Sequence, residues 1–271
     1  MKANTIRRQS HAGVFVTAAV AVVVLGIGAI LGYDRLKAVY EEQCVIHDMP
    51  SQVEIAAGEM VPAEIIAAEL GLRPGANLAA IDFARKREEL LGRVPNLKTV
   101  KITRRLPDKV TVVAEERTPI ARLNVKGSAA SSGKVVDAEG VVFVRQRGTQ
   151  LLPTIFETKA PGTPKGGRLH GRAFAALQLI EACRGAELLE LGVQAVDMTK
   201  HDFLTVTLGD YSKLKILWEK MDEPTPDSQK DLCRRLTRLR DIRRSKVAPS
   251  TTTTWNATMP DSITADTQEK L

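Results

Sequence analysis

The chain has 271 residues, 44% of them hydrophobic, which suffices for one or two modest cores and is too little for a large multidomain enzyme. Aromatic residues make up 4%, so no aromatic platform for nucleic acid or carbohydrate is advertised, and the formal charge of +7 suits an acidic partner or a negative lipid surface. Much of that charge lies between Lys230 and Lys246 and describes one segment more than a whole surface.

The stretch from Ala12 to Gly32, AGVFVTAAVAVVVLGIGAILG, has no charged residue and no proline. As a helix it would be about 32 Å long at about 1.5 Å per residue, against a hydrocarbon core of about 30 Å. Lys2, Arg7 and Arg8 precede it, while mixed charges follow in Asp34, Arg35, Lys37, Glu41 and Glu42. The positive-inside rule then keeps the tail 1–11 cytoplasmic and exports the rest. The span is longer than a signal-peptide core and has no A-x-A-like cleavage site, which favours an uncleaved anchor over 12–33. Gly28 and Gly32 form a GxxxG that lets helices approach closely.

A polar connector, 34–50, leads into alternating short strands and helices, an α+β pattern. Val53 and Ile55 alternate with polar neighbours up to Gly58 and predict a strand. Pro62 opens a helix that Gly71 ends, and Asp82 caps a second helix with Phe83, Leu90 and Leu91 on its apolar face, closed by Gly92 and Pro95. Strands follow at Leu97–Thr103 and Lys109–Ala114, with Leu106, Pro107 and Asp108 turning between them. VVDAEGVVF, Val135 to Phe143, reads as a hairpin. Further strands are expected at Val193–Met198, Phe203–Leu208 and Leu214–Trp218. Two helices interrupt them: Gly171–Cys183 carries Phe174, Leu177 and Ile180, and Ser228–Arg244 carries Leu232, Leu236, Leu239 and Ile242. The residues 265–271 read as a disordered polar tail.

The run from Val53 to Leu123 resembles a POTRA domain in the version carried by the FtsQ/DivIB family of bacterial cell-division proteins. Gly58, GANLAAID (Gly75 to Asp82), VPNLKTVKITRRLPDKVTV (Val94 to Val112) and EERTPIA (Glu115 to Ala121) carry the resemblance, which continues in VVDAEGVVF and in LLPTI, Leu151 to Ile155. It implies a POTRA domain at 51–123 and a β-rich domain at 124–264 behind one membrane anchor. Taken alone, the same residues have structural jobs, with Pro95, Pro107 and Pro119 marking element ends.

Enzyme motifs are approached and not met. Ser131 to Lys134, SSGK, has the S-x-x-K spacing, but a strand follows where such a serine opens a helix, and no S-D-N or K-T-G completes the site. GSAASSGKV has five residues where a P-loop needs four between its glycines, and Val135 cannot hold magnesium. His11, His47, His170 and His201 are scattered, and Cys44, Cys183 and Cys233 form no CxxC pair. The pattern gives three separate small residues; pairing of Cys183 with Cys233 stays open. No catalytic residue, metal or cofactor is expected.

Two segments are candidates for recognition. RRLTRLRDIRRSK puts leucines on one face of a helix and charge on the other, which reads first as a solvated face and second as an acidic-partner site. TTTTWNATMPDSIT, Thr251 to Thr264, favours an extended terminal edge strand, and an unpaired edge invites another chain. The family resemblance implies docking there of coiled-coil division proteins of the FtsB, FtsL or DivIC type. Where family members carry an acidic residue, an apolar residue and an arginine, this sequence reads WNATM. Thr253, Thr254, Trp255, Asn256 and Thr258 are the partner-binding candidates, with Trp255 either the anchor or packed on its own domain. The expected function is a non-enzymatic septal scaffold in the inner membrane, its bulk periplasmic. A POTRA protein of outer-membrane assembly and a membrane-anchored Ser/Lys hydrolase are the alternatives.

Overall fold

The computed structural model describes residues 32–33, 35–37, 39–105, 107–127, 133–145, 147–157, 167–223, 225–245 and 252–267. The apolar segment 12–31, Gly28 and Ser131 lie outside them. No helix among the described residues is long and apolar enough to cross a membrane. Those residues form two compact units, one taking in the chain up to Ala57 with Pro62–Leu90 and Val100–Ala114, the other Gly58–Val61, Leu91–Thr99 and the chain from Glu115.

The expected connector carries structure. Residues 39–43 are helical (α1), and Cys44 and Ile46 are fully buried. Ile46 N–H donates to the Ala76 carbonyl (2.9 Å) and Leu78 N–H to that of Cys44 (2.9 Å), so this short stretch is zipped to the loop at 75–78. A second short helix, α2 (Met49–Gln52), then feeds β1 (Val53–Ala56).

The helices α3 (Ala63–Leu70) and α4 (Phe83–Arg93) separate β1 from β2 (Leu97–Arg105) and β3 (Lys109–Glu116). β1 runs parallel to β3, with Val53 opposite Val110 and Ile55 opposite Val112, and the sheet order is β1-β3-β2. Parallel neighbours need a long connection, which the helices provide. Gly71 ends α3 in the left-handed conformation at φ 75°, where a glycine pays no Cβ penalty. Its N–H donates to Ala68, and Leu72 N–H to Ala67, which satisfies the last free carbonyls. Asp82 caps α4 by accepting from Arg85 N–H (3.1 Å), as its position in the sequence implies, but the helix continues through Gly92 to Arg93. Ile66, Leu70, Leu78, Leu90 and Val112 are fully buried. The Arg104 guanidinium sits 4.6 Å above the Phe83 ring and donates to the Ile81 carbonyl.

The second unit is a nine-stranded sheet in the order β12-β11-β10-β9-β8-β7-β4-β5-β6. Its strands are β4 (Ala121–Val125), β5 (Lys134–Val136), β6 (Val142–Val144), β7 (Thr154–Glu157), β8 (Ala195–Asp197), β9 (Leu204–Thr207), β10 (Lys213–Ile216), β11 (Thr252–Ala257) and β12 (Thr264–Thr267). β4 crosses the boundary expected at Leu123 and pairs with β5 and β7. The helices α5 (Gly171–Arg184) and α6 (Pro226–Arg244) are crossovers, α5 joining parallel β7 and β8 and α6 joining parallel β10 and β11. Their buried residues Leu177, Leu179, Ile180, Leu232, Leu236 and Leu239 share one core with the strands.

Gly58, in the second unit, has a specific reason to lack a side chain: a Cβ there would lie 2.3 Å from the Glu116 carboxyl carbon. That carboxylate accepts from the N–H groups of Met60 (2.7 Å) and Val61 (2.8 Å) and holds the turn closed. Arg117 pairs with Asp137, whose other oxygen accepts from Val141 N–H (2.8 Å) and fixes the β5–β6 turn. All three cysteines are free thiols: Cys44 and Cys183 are buried and Cys233 is exposed.

Val112, on the central strand β3, is fully buried, whereas its neighbour Val113 is 48% exposed on the opposite face. Val112→Asp buries a carboxylate without a partner, which costs several kcal/mol, and Val113→Asp stays within about 1 kcal/mol. Hydrogen exchange of the full chain should show lost protection across β1 and β3 in the first variant and retained protection in the second. Equal behaviour would reverse the assigned register.

Candidate partner-recognition edge

The C-terminal strands are held by the sequence just before them. Thr225 caps α6, its hydroxyl accepting from Ser228 N–H (3.2 Å), and Pro226 takes a first-turn position where no N–H is needed. The buried Ser228 hydroxyl accepts from Trp218 Nε1 (3.0 Å) and donates to the Lys220 carbonyl (3.0 Å), tying the start of α6 to the chain leaving β10. Two turns further on, Arg235 is 7% exposed although it lies in the charged run. It pairs with Asp231 (2.9 Å) and donates to the carbonyls of Ala257 (3.2 Å) and Met259 (2.8 Å), where β11 ends.

Other arginines of α6 are also engaged within the chain. Arg240 donates to the Glu187 carbonyl, Arg243 pairs with Asp210 (2.6 Å) and Arg244 with Glu190 (2.8 Å). Part of the charged face is therefore a set of tethers to neighbouring loops, while Arg234 and Arg238 stay exposed. Burial alone would raise the Asp231 carboxyl, but the Glu219 N–H and the guanidiniums of Arg234 and Arg235 hold it below the usual aspartate range.

The segment expected as a terminal edge strand is not at the edge. β11 is flanked on both sides, parallel to β10 and antiparallel to β12. Thr254 lies between Lys213 and Asp266, Trp255 between Leu214 and Ala265, and Asn256 between Lys215 and Thr264. Thr253 falls where the β11–β12 register shifts. Thr258 follows the strand, its N–H and hydroxyl both directed at Asn256 Oδ1 (3.2 and 2.8 Å). Trp255 is 4% exposed and belongs to the core with Leu214 and Leu236, so of its two expected roles it takes the internal one. The physical reason is the crossover: α6 delivers β11 alongside β10, and the residues after Thr258 fold back over its other side.

The edge is instead β12, which pairs with β11 alone among the described strands. The expected polar tail thus begins with a strand as far as Thr267. Its signal in the sequence was faint: Ile263 and Ala265, both partly buried against the core, alternate after a Pro260-Asp261-Ser262 turn. The far edge, β6, is covered, since Val142 N–H donates to the Gly167 carbonyl (2.9 Å), Val141 bridges to Arg168, and Asn96 Nδ2 donates to the Val144 carbonyl.

No group of three His, Cys, Asp or Glu side chains that could hold a metal forms among the described residues. Residues 50–117, which contain the sheet β1-β3-β2 and its two helices, match the family model of the POTRA domain, FtsQ-type. The chain carries an FtsQ-type POTRA domain. This supports an FtsQ/DivIB-like assignment, and the FtsQ-type POTRA family is generally non-enzymatic. No curated protein gives a significant match to the chain. The FtsQ-type POTRA domain and the β-rich region that follows it give a mixed α+β architecture.

Two expectations follow. Trp255→Ala should destabilise the β-rich unit by about 3–5 kcal/mol, seen as a lower melting temperature, because it empties a core site. An unchanged melt would contradict the internal placement. Arg235→Ala should cost about 1–3 kcal/mol, since it leaves the Ala257 and Met259 carbonyls without this donor and takes one of two guanidiniums from Asp231, which keeps Arg234 and the Glu219 N–H. Because the folded Asp231 pKa is depressed, its stabilisation is present above the unfolded carboxylate value of about 3.9 and is lost as pH falls through the lower folded value. Melting followed from pH 7 downward should show a smaller loss on acidification in Arg235→Ala than in the parent chain.

Proposed function

We propose that this protein is a non-enzymatic scaffold of the bacterial division septum that links membrane and periplasmic division proteins. The FtsQ-type POTRA domain at 50–117 carries the reading. The uncharged run from Ala12 to Gly32, with Lys2, Arg7 and Arg8 before it, supports a single anchor with the N-terminus cytoplasmic and the bulk periplasmic. A fluorescent fusion should form a band at midcell in dividing cells. An even distribution around the envelope would end the division reading and favour a POTRA protein of outer-membrane assembly.

Within this role the docking surface is β12, to which coiled-coil division proteins of the FtsB, FtsL or DivIC type add a strand by backbone pairing. The candidates Thr254 and Asn256 then act behind the edge, in the ladder on which β12 is held, and Thr258 closes the end of that strand on Asn256. Successive N–H groups of a strand point to opposite sides, and proline removes a donor. Of Ala265→Pro and Asp266→Pro, one therefore breaks a bond to β11 and the other removes a donor at the free edge. The free-edge variant should melt as the parent does and lose the coiled-coil partners in a pull-down. Full binding by both variants would exclude β12.

A further inference from the structure

The chain enters its first unit through a helix with an uncovered apolar face. Residues 32, 33 and 35–37 are helical like α1, which follows them, and all of these residues are exposed. Leu36 is 73% exposed and Val39 53%, with Tyr33 and Tyr40 exposed beside them. Among the described residues no buried one precedes Cys44, and Asn77 Nδ2 reaches the helix only near its end, at the Glu41 carbonyl (3.0 Å). One exposed leucine needs no explanation, but four large apolar residues within eight positions of one helix mark a contact surface. The charges are arranged around it. Lys37 pairs with Glu41 (3.8 Å) one turn on, on the side of the helix away from Leu36 and Val39.

We propose that this face is the seam of a parallel helix pair formed with a second copy of the chain, just outside the membrane. The inference rests on the anchor reading. Leu25, Ala29, Gly32, Leu36 and Val39 follow one another at alternating spacings of four and three, the seam positions of a two-helix coil. Within the uncharged run that spacing is uninformative, but past Gly32 it continues while Arg35, Lys37, Glu41 and Glu42 all avoid it. Lipid does not cover the face. At about 1.5 Å per residue Val39 and Tyr40 stand about 10–12 Å past Gly32, beyond a headgroup layer of about 5–8 Å. A common exit point sets every copy at one height, so two copies meet in register, Leu36 on Leu36 and Val39 on Val39. A foreign helix would have to supply that register; a second copy has it by construction. Arg35 and Glu42 line one flank of the seam and Tyr33 and Tyr40 the other. In a parallel pair unlike flanks meet, so Arg35 lies against Tyr40 of the second copy and no like charges are opposed.

Disulfide trapping in the full chain tests the pair. Cys233→Ser removes the exposed thiol, and Cys44 and Cys183 are buried. In phosphatidylcholine vesicles, with copper phenanthroline as oxidant, single cysteines replacing Leu36 or Val39 should give a dimer of twice the chain mass. Cysteines replacing Lys37 or Glu41 should do so at least about tenfold more slowly, because only the seam holds two thiols together. Leu36→Glu, which opposes like charges on the seam, should abolish the dimer trapped through Val39→Cys. Mixing that chain with one carrying Leu36→Lys and Val39→Cys should restore it as the mixed pair, a rescue that a merely structural role would not give. Equal rates on the two faces, or a seam dimer that survives Leu36→Glu, would overturn the pairing while the anchor stands. Capture of a different chain by Leu36→Cys in cells, in place of the dimer, would assign the face to a foreign helix and overturn it likewise. Release of the chain from the vesicles by alkaline carbonate would end the anchor reading and the pairing with it.

Discussion

A guanidinium at the middle of α6 decides where the C-terminal half of the sheet goes. Arg235 is buried, and it is tolerable there because its Nε meets Asp231 one turn back and its Nη1 meets the carbonyls of Ala257 and Met259 at the end of β11. A lysine could not reproduce this, since a fork of several fixed donors is needed to meet a side chain and two carbonyls at once. The contact fixes the end of β11 against the helix that delivered it. Once β11 lies beside β10, Trp255 enters the core and the following residues must return along the other side as β12. Thr225 and Ser228 secure the other end of the same helix, so the crossover is held at its start and at its middle.

The turn at Gly58–Val61 uses the same economy with the charge reversed. The Glu116 carboxylate, at the end of β3, receives two backbone N–H groups in succession, and the missing side chain at Gly58 makes room for it. A carboxylate held by backbone donors and a guanidinium held by backbone carbonyls perform equivalent tasks, each fixing the chain where it leaves or enters a strand. Both lie at places where short polar stretches would otherwise have little apolar surface to hold them.

Features that depend on neighbouring residues were legible in the sequence. Gly71 and Asp82 mark helix ends because capping is local, and the leucine spacing of α6 correctly named Leu232, Leu236 and Leu239 as buried. Features that depend on distant pairing were not. The polar connector gave no hint that Cys44 and Ile46 would pair with the loop at 75–78, and β12 is too short and polar to show a pattern against the tail. Arg235 looked like its exposed neighbours Arg234 and Arg238, because burial of one arginine in a charged run is set by what the helix meets and not by its own periodicity. The candidate residues Thr253 to Thr258 were placed one strand too far out for that reason: an edge is defined by the absence of a neighbour, and the neighbour was the segment read as a tail.

The unequal ends of the nine-stranded sheet carry a consequence for assembly. With β6 closed off by the segment around Gly167 and β12 open, the described sheet can lengthen in one direction. Any strand that joins it occupies the single vacancy, whether it comes from a foreign protein or from a second copy of this chain. Self-pairing and recruitment through this edge would then be rival states of one surface, and the concentration of each competing chain, weighed by its affinity, would govern which assembly forms.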